Sequence, residues 1–270
     1  MHNYSQSIAA SINPSSQQII PMTTYQFGSW RIAISRQLRT KENLTSQYDA
    51  ASRSWSRTAR RYGLDAAYRR LLVASGAQAA LGSIGSKARV LDCGNGSGSL
   101  SIVLNSILPE RLNYCGIDLS GEMLTMAGAE IRQAVLVTEL RQADILSIPY
   151  ADVSFDFVIA THVLEHLPGP HHTLREMVRV LKPGGMLFVC LTRRSHCGAF
   201  IQMRWRTWAI TQQQGVSLLE ACQLNDISFQ PIHLGSCAGQ ASTAFWACRP
   251  GGLEHETEIT AATTHQEVGS

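Results

Sequence analysis

Asp92 opens a run whose residue types are spaced for ligand binding, Val90-Leu91-Asp92-Cys93-Gly94-Asn95-Gly96-Ser97-Gly98-Ser99-Leu100. A carboxylate leads three glycines at alternate positions. Glycine takes positive φ and has no β-carbon to hold a ligand off the backbone, and the amides at the start of a following helix favour an anionic group. A second carboxylate, Asp118, closes the apolar stretch Leu112-Asn113-Tyr114-Cys115-Gly116-Ile117-Asp118, about where a ribose-binding acid follows such a turn. A third, Asp144, lies in Gln142-Ala143-Asp144-Ile145. Thr161 and His162 come directly after Phe155-Asp156-Phe157-Val158-Ile159-Ala160, and an imidazole accepts a proton near neutral pH. These types suit a site that binds a polar, hydroxyl-bearing ligand and has a base within reach.

The elements that must position them are legible as alternating patterns. Between Lys87 and Val189 apolar strands alternate with helical spacings, which argues for parallel β-α units with helices on both faces of the sheet. Leu100, Val103, Leu104 and Ile107 mark a helix stopped by Pro109; Ser120 is placed to cap the helix of Met123, Leu124 and Met126. His171 to Leu181 reads as a helix ended by Lys182-Pro183-Gly184-Gly185. Tyr48 to Arg61 is a further helix with Tyr48 and Trp55 on one face; Val216 to Leu224 is another, followed by strands at Ile227 to Leu234 and Ser242 to Cys248. In open parallel sheets ligands sit beyond the carboxyl ends of strands at the switch point. Asp92 to Gly98, Asp118, Asp144, Thr161-His162 and Leu191 to Arg194 should therefore converge on one pocket.

The glycine turn is not a dinucleotide fingerprint, because Ser99 stands where G-x-G-x-x-G needs its last glycine. Its D-x-G-x-G-x-G pattern resembles the first motif of class I S-adenosylmethionine-dependent methyltransferases. Gln142 to Ile145, Ser154 to Leu167 and Leu181 to Val189 resemble three further ordered segments of that family. The resemblance covers roughly residues 45 to 250; Asn95 departs from it, since a small apolar residue or cysteine is usual there. It implies a Rossmann-like α/β fold with a seven-stranded, mostly parallel sheet, and S-adenosylmethionine as cofactor. The cofactor-binding residues it implies are Asp92, Gly94, Gly96 and Gly98 at the methionine end, Asp118 with Leu119 at the ribose, and Asp144 with Ile145 at the adenine. Thr161 and Tyr48 would face the cofactor, and Met123 would lie against the adenine or in the core. His162 is the candidate base or a positioning residue, with Glu165 and His166 as alternatives.

The 270 residues suit one α/β domain with additions, and a 44% hydrophobic content allows a sizeable core. A formal charge of +3 gives no argument for nucleic acid. No apolar run approaches the roughly 20 residues that span a bilayer, and scattered cysteines without a C-x-x-C pair read as reduced thiols in a cytoplasmic protein with no metal site. Residues 1–45 read as a flexible or lid-like extension; their lack of acids before Glu42 also fits an organellar transit peptide. Residues 46–250 are expected to form the catalytic domain, 251–270 a loose tail, and 195–215 a lid over the acceptor; Arg194 just before that lid and Trp205 within it would meet an anionic or aromatic acceptor, or a membrane surface. The bland alternative is a surface helix. The function expected is methyl transfer to a small-molecule acceptor by in-line displacement. The alternatives are a quinone precursor or phospholipid headgroup methylated at a membrane, or a catalytically silent cofactor-binding regulator. Oligomeric state is not legible in the sequence.

Overall fold

The computed structural model describes residues 19–37, 40–61, 63–108, 112–133, 138–167, 169–195, 207–232 and 242–251. The chain divides into two units, Met1–Gln47 and Tyr48–Ser270. In the first, β1 (Ile19–Phe27) and β2 (Trp30–Gln37) pair antiparallel, with Phe27 opposite Trp30 across Gly28-Ser29. Gly28 takes φ +59°, and its carbonyl accepts a 2.7 Å hydrogen bond from Gln26 Nε2. The register slips between Pro21 and Thr23, where proline has no amide to give the ladder. This hairpin was not anticipated. Its signal was the alternation of Tyr25, Phe27, Trp30, Ile32 and Ile34 around a Gly-Ser turn.

Helix α1 (Lys41–Arg61) precedes the second unit's sheet, followed by α2 (Leu64–Ala74) and α3 (Ala77–Ile84). The sheet then forms from β3 (Arg89–Cys93), β4 (Asn113–Asp118), β5 (Thr138–Gln142), β6 (Phe155–Thr161), β7 (Leu181–Thr192), β8 (Asn225–Pro231) and β9 (Ser242–Cys248). Its order is β5-β4-β3-β6-β7-β9-β8. The pairings are parallel except that β9 runs antiparallel to both β7 and β8. The connecting helices are α4 (Ser99–Ile107), α5 (Gly121–Gln133), α6 (His171–Val180) and α7 (Gln212–Glu220).

Strand alternation divides the apolar side chains between two layers. Leu91, Cys115, Ile117, Val158, Ala160 and Val189 pack with Leu174 and Met177 of α6 and Leu219 of α7. Their neighbours Val90, Tyr114, Phe157, Ile159 and Phe188 pack on the other face, with Leu72 of α2, Leu81 of α3 and Leu104 of α4. Helices thus cover both faces, as expected for a seven-stranded Rossmann-like sheet. Cys93, Cys115, Cys190 and Cys222 are free and buried.

Several boundaries differ from the sequence expectation, and two have a clear local cause. Lys182 to Gly185 belong to β7, and α6 stops at Val180. Helix α7 starts at Gln212, four residues before its first apolar position, because Thr211 and Gln214 form a reciprocal capping box. From β3 the chain winds outward through β4 and β5, then returns to the other side of β3 as β6. The switch point therefore lies between the carboxyl ends of β3 and β6, where Gly94 to Gly98 and Thr161-His162 stand.

Candidate active site

The turn after β3 is shaped by its glycines. Gly94, Gly96 and Gly98 take φ of +76°, +54° and +81°. A β-carbon on Gly94 would lie 2.1 Å from Val163 Cγ2, so this turn is pressed against the one that follows β6. Four amides of the turn itself are already engaged. Gly94 and Asn95 donate to the Ile117 carbonyl at 2.8 and 3.0 Å, and Gly98 donates to the Asn95 carbonyl at 3.0 Å. The Gly96 amide donates to Asp118 Oδ2 at 2.8 Å. The donor end left for an anionic group is the first turn of α4, where helical amides have no intrahelical acceptor.

Beneath the turn lies a buried polar cluster. The Tyr114 hydroxyl is 2.6 Å from Asp92 Oδ2 and 2.9 Å from Asn95 Oδ1. Asp92 and Tyr114 are each 1% exposed. Asp92 Oδ1 is buried and makes no hydrogen bond among the described residues. Burial pushes the Asp92 carboxyl up to about 7; the Tyr114 hydrogen bond pulls the other way, and the Asp118 charge adds to the rise. The departure of Asn95 from the resembled motif has a local cause. Its side chain lies over Gly116, where any β-carbon would come within 2.9 Å of Asn95 Cγ. A polar residue fits there because Tyr114, opposite Val90 in the parallel register, reaches it from β4.

Asp118 holds the end of β4. Its Oδ1 accepts the Ser120 amide at 2.9 Å while Oδ2 serves Gly96. Burial raises its carboxyl above the ordinary range, opposed by the amides of Ser120, Gly96 and Leu119. Each oxygen keeps one lone pair, so a ribose diol is still accommodated. Ser120 caps α5 as expected, its Oγ accepting the Met123 amide at 3.0 Å, and it donates to Asp49 of α1. Leu119 is fixed through its carbonyl by Gln142 Nε2 at 2.9 Å. Met123 is 1% exposed, a core position. The Ala143 amide donates to the Asp118 carbonyl at 3.0 Å, so the segment carrying Asp144 adjoins the end of β4. Asp144 Oδ1 accepts the Leu146 amide at 2.9 Å, and Ile145 packs on the core.

Across the switch point, His162 has φ +59°, a conformation rare for a residue with a β-carbon. Its amide donates to the Cys190 carbonyl at 2.9 Å, and its Nδ1 lies 3.0 Å from Glu165 Oε1. Thr161, partly buried at the end of β6, adjoins the buried Tyr68 of α2. The Tyr48 hydroxyl is 2.7 Å from His166 Nε2, with the two rings edge to face at 5.5 Å. Tyr48 and Asp49, adjacent on α1, thus reach the turns after β6 and β4 respectively.

Arg194 is exposed beyond β7, while Trp205 and the Trp55 side chain lie outside the described residues. Within the rest of the expected lid, Ile210 bridges to Arg193 and Thr207 is buried. The sequence reading brought together Asp92, the three glycines, Asp118, Leu119, Asp144, Ile145, Thr161 and His162 at one end of the sheet. It missed the roles of Tyr68, Tyr114 and Asp49, and the contact of Thr192 with Glu165, all of which depend on contacts remote in sequence.

Residues 91–189 match the family model described as a methyltransferase domain. The chain is 33% identical over 120 residues to the demethylmenaquinone methyltransferase of Lactobacillus johnsonii, a match covering 44% of this chain and 49% of that protein. It is 38% identical over 103 residues to the phosphatidylethanolamine N-methyltransferase of Cereibacter sphaeroides, covering 37% and 49% respectively. The chain spans about half the length of the curated relatives it matches. Among solved structures, the 4+2 cyclase SpnF aligns with a TM-score of 0.59 at 17% identity over 80% of this chain and 98% of that one, a likeness of fold alone.

Proposed function

We infer that this chain, whose residues 91–189 are a class I S-adenosylmethionine-dependent methyltransferase domain, transfers a methyl group to a small-molecule acceptor placed before Thr161 and His162. The observation that carries this reading is the junction of the glycine turn with Asp118. The carboxylate locks the turn through Gly96 and retains lone pairs for a diol. The cofactor fits the residues present. The orphaned Asp92 Oδ1 is an acceptor for an ammonium group, the start of α4 offers donors for a carboxylate, and Asp118 takes the ribose. Asp144 with Ile145 stands where the adenine edge would lie. Tyr48 closes from α1, and the core position of Met123 leaves it a supporting role.

When bound, the cofactor supplies a methyl on sulfonium sulfur; the acceptor's electron pair forms the new bond as the sulfur–carbon pair returns to sulfur. The protein's share is to hold the acceptor at about 3 to 3.5 Å and keep water out. His162 takes the acceptor's proton at Nε2, its Nδ1 being engaged by Glu165.

The identity to quinone methyltransferases favours an electron-rich aromatic acceptor such as a hydroquinone, whose ring carbon becomes nucleophilic as its hydroxyl is deprotonated. An acceptor at a membrane surface, a phospholipid headgroup included, is the second reading, favoured by the phosphatidylethanolamine N-methyltransferase relative. Incubating the chain and S-adenosylmethionine with 1,4-naphthohydroquinone or phosphatidylethanolamine vesicles separates the two by which product gains a methyl. We expect methylated naphthohydroquinone. Methylated lipid alone would replace the first reading with the second. If every acceptor in a broad panel stayed unmethylated while the cofactor bound, turnover would be overturned in favour of a silent binding protein.

A further inference from the structure

We propose that Glu165 is a positioning residue that fixes His162 as the Nδ1–H tautomer, so that Nε2 is the atom left to accept a proton. This rests on the methyltransferase reading above. Glu165 is 1% exposed, whereas the His162 side chain is 22% exposed, so the carboxylate lies behind the ring and the ring faces outward. Glu165 Oε1 lies 3.0 Å from His162 Nδ1 and accepts from Thr192 Oγ1 of β7 at 2.7 Å. Its other oxygen is buried and makes no hydrogen bond among the described residues. His162 Nε2 likewise has no hydrogen-bond partner among them.

Backbone geometry keeps the pair in place. The left-handed φ of His162 turns the chain from β6 into the short 3-10 turn Leu164–His166. The Glu165 carbonyl is tied by the Trp208 amide at 2.6 Å. A strained conformation held from both sides is a feature that packing alone does not require. The other titratable groups at this corner are Tyr48 from α1, Tyr68 from α2, Asp92 from β3, His166 from the same turn and Cys190 from β7. Burial would raise the Glu165 carboxyl, but the charges and hydrogen bonds of His162, with His166 and Thr192, bring it below the ordinary range. An ionised carboxylate accepts hydrogen bonds and cannot donate. The ring nitrogen facing it must therefore carry the proton. A carboxylate holding the productive imidazole tautomer is the logic of hydrolytic triads, here set against a methyl acceptor.

Nitrogen-15 NMR of the ring nitrogens tests this without any acceptor. The His162 signal is assigned among the nine histidines by its loss in His162→Gln. At about pH 8.5, two units above the ordinary imidazole value, the wild-type chain should show protonated Nδ1 and bare Nε2. In Glu165→Leu the protonated nitrogen should shift to Nε2, while affinity for S-adenosylmethionine stays within about threefold, a difference of about 0.7 kcal/mol. A wild-type ring protonated at Nε2 overturns the proposal even if Glu165→Leu fails to fold, and so does an unchanged tautomer in a folded Glu165→Leu. Absence of cofactor binding by the wild-type chain would instead overturn the methyltransferase reading, so the two failures are read from different measurements.

Discussion

Asp118→Asn binds S-adenosylmethionine at least about a hundredfold more weakly than the wild-type chain in calorimetric titration. Both carboxylate oxygens accept from main-chain amides, Gly96 at 2.8 Å and Ser120 at 2.9 Å. An asparagine satisfies one of them at most. Whichever way it flips, its NH2 faces an N–H, and either the glycine turn or the start of α5 comes loose. Hydrogen bonds to a charged group contribute about 1.5–3 kcal/mol each, and the ribose contact is weakened at the same time. A combined loss of about 3 kcal/mol or more corresponds to the hundredfold figure. The substitution is close in shape, so the sheet persists and circular dichroism should be unchanged. A loss of tenfold or less would mean that Asp118 does not support turn and ribose together.

Asp92→Asn should stabilise the fold at alkaline pH and leave it unchanged in acid. In the unfolded chain Asp92 loses its proton near 3.9; in the folded chain burial holds the carboxyl at about 7. Between those values the folded state binds the extra proton, so stability falls as pH rises through the window and levels off above about 7. The difference of about three units corresponds to roughly 4 kcal/mol. Asparagine keeps an oxygen for the Tyr114 hydroxyl and removes the charge. Urea unfolding at pH 5 and pH 8 should therefore show the variant gaining on the wild type far more at pH 8 than at pH 5, where only the first part of the window has been crossed, with weaker cofactor binding in exchange. Equal gains at both values would mean that the buried charge is not the cause.

The parts of this architecture that were legible in the sequence are those written in local periodicity. Leu91, Val158 and Val189 alternate with polar or opposite-face neighbours, so the strand ends, and with them Asp92, Asp118 and Thr161, could be placed before any coordinates. The Ser120 cap was legible for the same reason, since Met123 lies three residues on. What escaped was set by register or distance. Tyr114 supports Asp92 because parallel pairing puts Asp92 opposite Gly116, two residues further along β4. Tyr48 meets His166 across 118 positions, and Thr192 meets Glu165 across 27. The start of α7 was missed because its signal is the capping pair Thr211 and Gln214 and not an apolar face. That Ile117, Asp118 and Asn95 consume the glycine turn's own amides was likewise not legible, because no single segment reveals it.

The most direct test is calorimetric titration of the purified wild-type chain with S-adenosylmethionine, S-adenosylhomocysteine and NADH. The account predicts binding of both sulfur cofactors at about micromolar Kd, near −8 kcal/mol, and no heat from NADH. Binding of NADH alone, or no binding of either sulfur cofactor to a well-folded chain, would contradict it.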